Sequence, residues 1–259
     1  MKSGAEKLRL DVALVERNLV ESREKAQALI LAGKVLVDGQ RADKPGRQVT
    51  QDSRIEVEQQ LKYASRGGLK LEAALQHFGI QVRDKVCIDV GTSTGGFTDC
   101  LLQHGAARVH SVDTGSGQIH WRLRTDARVV LHERTNARYL KPEDIGEAAD
   151  LIVCDVSFIS VTLLLPALIP VLKPKGQFVI LVKPQFEAGR ELVGKGGIVR
   201  DPAVHALACE KVASALDRAG FTSSIIESPI EGAEGNREFL LLAQRSRFEP
   251  GGEEIGPAG

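Results

Sequence analysis

The chain has 259 residues, room for one large α/β domain and a module of about 60 residues. Its 34 basic and 34 acidic side chains cancel, so no global positive field marks a polyanionic partner, and any nucleic-acid surface must be local. The opening residues MKSGAEKLRLD lack the apolar core of a signal peptide. The most apolar run, Val161 to Leu172, is shorter than the ~20 residues that span a bilayer and contains Pro166 and Pro170; we expect a cytoplasmic protein without a membrane segment.

In chain order, Leu10, Ala13 and Leu14, then Ala26, Leu29 and Ile30, recur at helical spacing and predict two short amphipathic helices, the second capped by Ser22 and ended by Gly33. Lys34-Val-Leu-Val-Asp-Gly39 reads as a strand entering an Asp-Gly turn, and Arg54-Ile-Glu-Val-Glu58 alternates as a second strand. These elements complete a small α+β domain at 8–60. Polar residues ending in Ser65-Arg-Gly-Gly68 read as a linker at 61–68.

From 69 to 246, strand-like runs alternate with helical patterns: Val86–Val90, Arg108–Val112, Arg128–Leu131, Leu151–Cys154 and Gln177–Val182. This predicts an α/β fold with an open parallel sheet covered on both faces. Two further strands, Thr222–Glu227 and Glu238–Ala243, joined by a polar loop, predict an antiparallel hairpin at the sheet edge. Residues 247–259, rich in Gly, Pro and Glu, read as a disordered tail. The four cysteines, Cys87, Cys100, Cys154 and Cys209, lack any CxxC spacing and read as reduced core thiols rather than metal ligands.

The strongest local signal is Cys87-Ile-Asp89-Val-Gly91-Thr-Ser93-Thr-Gly95-Gly96-Phe97, a strand passing through a glycine turn into a helix. Such turns let backbone approach a ligand, and a dinucleotide is one candidate. Ser93 replaces the second glycine of the dinucleotide fingerprint, and Asp89 would repel a pyrophosphate yet suit the ammonium of a methionine moiety. We therefore expect S-adenosylmethionine. Asp113, ending the next strand, is placed to accept hydrogen bonds from ribose hydroxyls, and Asn136, after the third, to face adenine. Asp155 and Lys183 end the fourth and fifth strands and should project into the same crevice. Lys183 follows four apolar residues and precedes Pro184, a poor setting for a mobile surface lysine.

With these motifs the sequence resembles the TlyA family of ribosomal RNA methyltransferases, also called hemolysin A, and more distantly the FtsJ/RrmJ ribose 2′-O-methyltransferases, from about Leu8 to Ala243. The resemblance is carried by Ser22-Arg-Glu-Lys-Ala, Ser65-Arg-Gly-Gly-Leu-Lys70-Leu, Asp89 to Phe97, Cys154-Asp-Val-Ser-Phe-Ile-Ser160, Val182-Lys-Pro-Gln-Phe-Glu187 and Glu234-Gly-Asn-Arg-Glu238-Phe. It implies a Rossmann-like S-adenosylmethionine-dependent methyltransferase domain behind a small RNA-binding domain of the αL type. It also implies a Lys-Asp-Lys-Glu set at Lys70, Asp155, Lys183 and Glu238, with Lys183 as base, Lys70 as neighbouring cation, and Asp155 and Glu238 as their orienting acids. No metal ion is called for. The implied substrate is cytidine in ribosomal RNA of either subunit, gripped in part by Arg9, Arg23, Lys25, Lys34 and Arg66. Charge alone speaks weakly for that grip, since residues 1–62 carry twelve basic against ten acidic side chains.

An alcohol is a poor nucleophile at neutral pH, so methylating one needs a base and strict alignment; base lysines are tuned to roughly pKa 7 to 8. The glycine-rich segment 188–199, with Arg190 and Lys195, reads either as a lid over RNA or as an ordinary surface loop. Membrane lysis, a catalytically inactive RNA-binding protein and a dinucleotide oxidoreductase are the rival readings.

Overall fold

The structure, a computed structural model, describes residues 7–57, 61–232 and 235–246; the expected tail at 247–259, and Glu234 of the last motif, lie outside them. Two units emerge, with the division after Leu61.

In the first unit, β1 (Leu8–Arg9) leads directly into α1 (Leu10–Glu16), followed by α2 (Arg23–Leu31), β2 (Val35–Val37), β3 (Gln40–Ala42), β4 (Gln48–Val49) and β5 (Ile55–Val57). Ser22 caps α2 by accepting from the Lys25 amide, and Gly33 follows its end at φ +67°. Strand β2 pairs antiparallel with both β3 and β5, and β1 with β4. Asp38 and Gly39 join β2 to β3 with φ of +53° and +78°, the doubly positive pair of a type I′ hairpin turn. The apolar faces read from the sequence meet in one core: Leu10, Ala13 and Leu14 against Ala26, Leu29, Ile30, Val35 and Val37.

The second unit runs α3 (Gly67–His77), β6 (Val86–Val90), α4 (Gly96–Gln103), β7 (Arg108–Val112), α5 (Trp121–Arg124), β8 (Val129–His132), α6 (Pro142–Ile145), β9 (Ala149–Cys154), α7 (Leu165–Leu168), β10 (Leu172–Val182), α8 (Pro184–Glu187), α9 (Pro202–Asp217), β11 (Phe221–Glu227) and β12 (Phe239–Arg245). They form a seven-stranded sheet of order β11-β12-β10-β9-β6-β7-β8, parallel from β10 to β8. The expected hairpin is present, with β12 inserted antiparallel between β10 and the edge strand β11. Period-2 alternation sends Ile152, Cys154, Phe178 and Ile180 into one core, and Cys87, Leu151, Val153 and Val179 into the other. The chain moves outward from β6 to β8 and then returns to β9 on the other flank of β6, which puts the topological switch between β6 and β9, where open sheets bind ligands.

Within the stretch expected as a linker at 61–68, residues from Lys62 on belong to the second unit. Tyr63 is buried in the core of the second unit and Gly67 opens α3. Polar composition and paired glycines suggested flexibility, but here glycine answers a packing need: a Cβ on Gly68 would stand 2.3 Å from the Tyr63 ring. All four cysteines are free thiols, three fully buried, and burial pushes Cys87 and Cys100 up to about 12.

Candidate active site

The site is built at the carboxyl ends of β6, β7, β9 and β10. Strand β6 ends in a turn whose Gly91 adopts φ +86°, and a Cβ there would lie 2.3 Å from the Asp155 carbonyl oxygen. Only glycine lets the ends of β6 and β9 approach this closely. The turn is pinned outward by Asp113, whose carboxylate accepts from the Ser93 amide at 2.8 Å and the Gly115 amide at 2.7 Å. Asn136 accepts from the Arg138 amide at 3.0 Å and so caps the short helical turn after β8.

Two cavities flank Asp155. One, of about 480 Å³, is lined by Gly91, Ser93, Asp113, Asn136, Asp155 and Phe158 among others. The other, of about 420 Å³, is lined by Ser65, Arg66, Lys70, Gly96, Phe97, Asp155, Lys183 and Glu231, again with Gly91 and Ser93. Asp155 therefore stands where the two meet. Gly95, at φ +94°, closes the turn before α4.

Within the second cavity the amines are paired with acids. Lys183 Nζ lies 2.5 Å from Asp155 Oδ1 and donates to Ser157 Oγ at 3.0 Å. Lys70, on α3, donates to Glu238 just before β12, and both side chains are buried. Residues 70, 155 and 183 share the cavity wall; Glu238 sits behind Gly232, where a Cβ would meet its Oε1 at 2.0 Å.

Asp89 is placed differently from the expectation of direct contact with an ammonium. Strand alternation turns its side chain under the glycine turn toward α4, fully buried and off both cavity walls. There Thr98 Oγ1 donates to its Oδ2 at 2.6 Å, while Oδ1 has no partner among the described residues. Burial raises its pKa to about 7, opposed by the Thr98 bond and reinforced by the charge of Asp155.

The expected RNA contacts fall on both units. Arg9 and Arg23 are half-exposed but anchored: Arg9 grips Asp11 through Nε and Nη2, both at 3.0 Å, and Arg23 Nε donates to the same carboxylate at 3.0 Å. Lys25 is exposed and pairs with Glu21 at 3.1 Å, Lys34 is exposed, and Arg66 lines the second cavity. The segment 188–199 forms two short 3-10 turns, its end fastened by Asn236, which accepts from the Val199 amide and donates to the Gly197 carbonyl, both at 3.0 Å.

Sequence reasoning gave no role to Ser157, Glu187, Glu231 or Gly232. Ser157 and Glu187 lie inside motifs already noted; Glu231 and Gly232 follow Pro229 in an irregular loop with no pattern to read. Phe158, 91% exposed at φ +65°, was equally silent as a site feature.

A parallel sheet with a glycine turn at its switch point, an amide-held acid ending the next strand and an unsatisfied buried carboxylate oxygen beneath the turn fits an adenosyl-methionine ligand, and defines a Rossmann-like methyltransferase. The chain belongs to the FtsJ-like methyltransferase family, whose model matches residues 63–245; an S4 domain matches residues 8–55. S-adenosylmethionine is its methyl donor. YqxC of Bacillus subtilis, whose name places it among rRNA methyltransferases, is 51% identical over 240 residues, covering 92% of this chain and 85% of that one. The 16S/23S rRNA (cytidine-2′-O)-methyltransferase TlyA of Mycobacterium tuberculosis is 46% identical over the same share of this chain and 90% of its own. A solved chain from Streptococcus thermophilus, named for hemolysin, is 44% identical with a TM-score of 0.71, covering 94% of this chain and 90% of that one. Among the described residues no helix is long and apolar enough to cross a membrane.

Proposed function

We propose that this enzyme methylates the ribose 2′-hydroxyl of a cytidine in ribosomal RNA, working in the cytoplasm on ribosomal subunits. The observation that carries the reading is the placement of two lysine–carboxylate pairs, Lys183–Asp155 and Lys70–Glu238, at one cavity beside the glycine turn. The bound cofactor supplies an electrophilic methyl on sulfonium.

Asp113 and Asn136 hold the adenosine half in the first cavity, and Gly91, Ser93, Gly95 and Gly96 give it backbone room. Phe97 backs the turn from α4. Asp89 acts from below, its open oxygen favouring a positively charged ligand group above it. In the second cavity Lys183 accepts the proton of the 2′-hydroxyl, and Asp155 stabilises the ammonium that results. Lys70, fixed by Glu238, places a second positive charge beside the base and orients the ribose. Alignment on rigid strand ends contributes much of the rate, since near-attack geometry is worth about 7 to 11 kcal/mol. Arg9, Arg23, Lys25, Lys34 and Arg66 contact phosphates and set register rather than read sequence.

Incubating separated small and large ribosomal subunits with methyl-labelled cofactor, then mapping the product by mass spectrometry, tests this reading. The expected product is 2′-O-methylcytidine at a defined position in at least one subunit. Label on a base, or in neither subunit, overturns it.

A further inference from the structure

The Lys183–Asp155 pair joins two loops that leave the sheet. The ladder between β9 and β10 pairs Cys154 with Ile180; beyond it Asp155 keeps one bond, from its amide to the Val90 carbonyl at 2.9 Å, and the chains at 156–160 and 183–187 run without strand bonds. A lysine side chain has four rotatable carbons and cannot by itself fix its amine against a carboxylate. The two loops are joined a second time, farther from the cavity, by Glu187. Its side chain is buried, Oε1 accepts from the Val161 amide at 2.7 Å, and Oε2 accepts from Ser160 Oγ at 2.5 Å. Lys211, from α9, lies 3.5 Å from Oε2 and donates to the Glu187 carbonyl at 2.6 Å. The Glu187 amide in turn donates to the Lys183 carbonyl at 3.2 Å, tying the clasp to the base within one turn of α8. The rings of Phe158 and Phe186, 5.1 Å apart, add an apolar contact between the same loops.

We infer that Glu187 is a positioning residue: its carboxylate clamps the loop bearing Asp155 onto the turn bearing Lys183 and so sets the distance between amine and acid in methyl transfer. The inference rests on Lys183 being the base. A carboxylate is required because an amide, a hydroxyl and an ammonium all present donors to its two oxygens. Glutamine would turn an N–H₂ toward one of those donors, and aspartate would fall one methylene short.

The test measures single-turnover methylation of ribosomal subunits at saturating cofactor, with its pH dependence, for Glu187→Gln and Ser160→Ala, alongside calorimetric cofactor binding and Lys183→Ala as reference. Misplacement by about 1 Å costs on the order of 100-fold, so Glu187→Gln is expected to slow transfer about 10- to 100-fold and Ser160→Ala a few-fold, with cofactor affinity held within about 2-fold. The pH profile of the rate should change in both, because a slack Asp155 no longer holds its place beside the amine. Ser160→Ala removes a single hydroxyl and carries the test if Glu187→Gln does not fold. Unchanged rates and profiles in these variants, with Lys183→Ala inactive, overturn the clasp alone, as does a rate loss matched by an equal loss of cofactor affinity. An active Lys183→Ala overturns the base assignment instead.

Discussion

Asp11 in the small unit and Asp89 in the methyltransferase unit are both fully buried, yet they sit in opposite electrostatic states. Asp11 takes hydrogen bonds from Arg9, Arg23 and Gln27, and these donors hold its carboxyl well below the usual range. Asp89 has one hydroxyl donor and one open oxygen, and burial lifts it to about 7. Lack of exposed surface alone does not set ionisation; bonds from charged arginines lower the one carboxyl, and desolvation lifts the other. A saturated acid serves as an anchor for outward-facing arginines. An unsaturated one keeps an open oxygen, which in the function proposed above is completed by the cationic group of the cofactor.

The two aspartates should therefore respond to amide substitution with opposite signs. The largest effect is expected for Asp89→Asn. A carboxyl raised from about 3.9 in the unfolded chain costs the fold stability progressively as pH rises from about 4 to about 7, and the cost is constant above that; a shift of this size is worth on the order of 4 kcal/mol. Asp89→Asn should abolish this slope, raising the denaturation midpoint of the methyltransferase unit at pH 8 while weakening the cofactor about tenfold. In the wild type, cofactor affinity should itself fall as pH drops from 7 to 5, because binding a cationic group above Asp89 expels its proton. Calorimetry in buffers of different ionisation enthalpy measures that proton directly.

Asp11→Asn should act the other way and more weakly. Its depressed carboxyl contributes stability above about pH 4 that is lost as pH falls. The partner arginines are 46% and 53% exposed, so the loss is expected near the low end for a broken buried pair, about 2 kcal/mol. Denaturation followed by a probe in the first unit should show this loss in full at pH 7 and a smaller one at pH 3, with cofactor affinity unchanged.

Much of this was legible because periodicity and turn chemistry are local. The five parallel strands end within one residue of their expected carboxyl ends, although β10 begins five residues before the expected Gln177, and the Asp-Gly turn and Ser22 cap are as read, since each follows from neighbours in sequence. What escaped was set by distant packing. Ser65-Arg-Gly-Gly68 reads as part of a linker because nothing local reveals that Tyr63 lies against Gly68 or that Ser65 Oγ would sit 2.2 Å from a Cβ on Gly96. Asp89 was expected in the crevice from its place beside the turn, but strand parity turns it toward Thr98. Glu187 was visible as a letter in a motif, while its partners Ser160, Val161 and Lys211 are 24 to 27 positions away. Arg9 and Arg23 suggest phosphate contacts by charge, and nothing local signals that a single acid, Asp11, holds both.

The most direct test of the account separates binding from chemistry at Lys183. Single-turnover methylation and calorimetric cofactor affinity should be measured together for Lys183→Ala. The expected result is a cofactor Kd within a few-fold of wild type and transfer slowed about 100- to 10,000-fold, the range for loss of a general base. Transfer retained within tenfold, or a loss of cofactor affinity as large as the loss of rate, would contradict it.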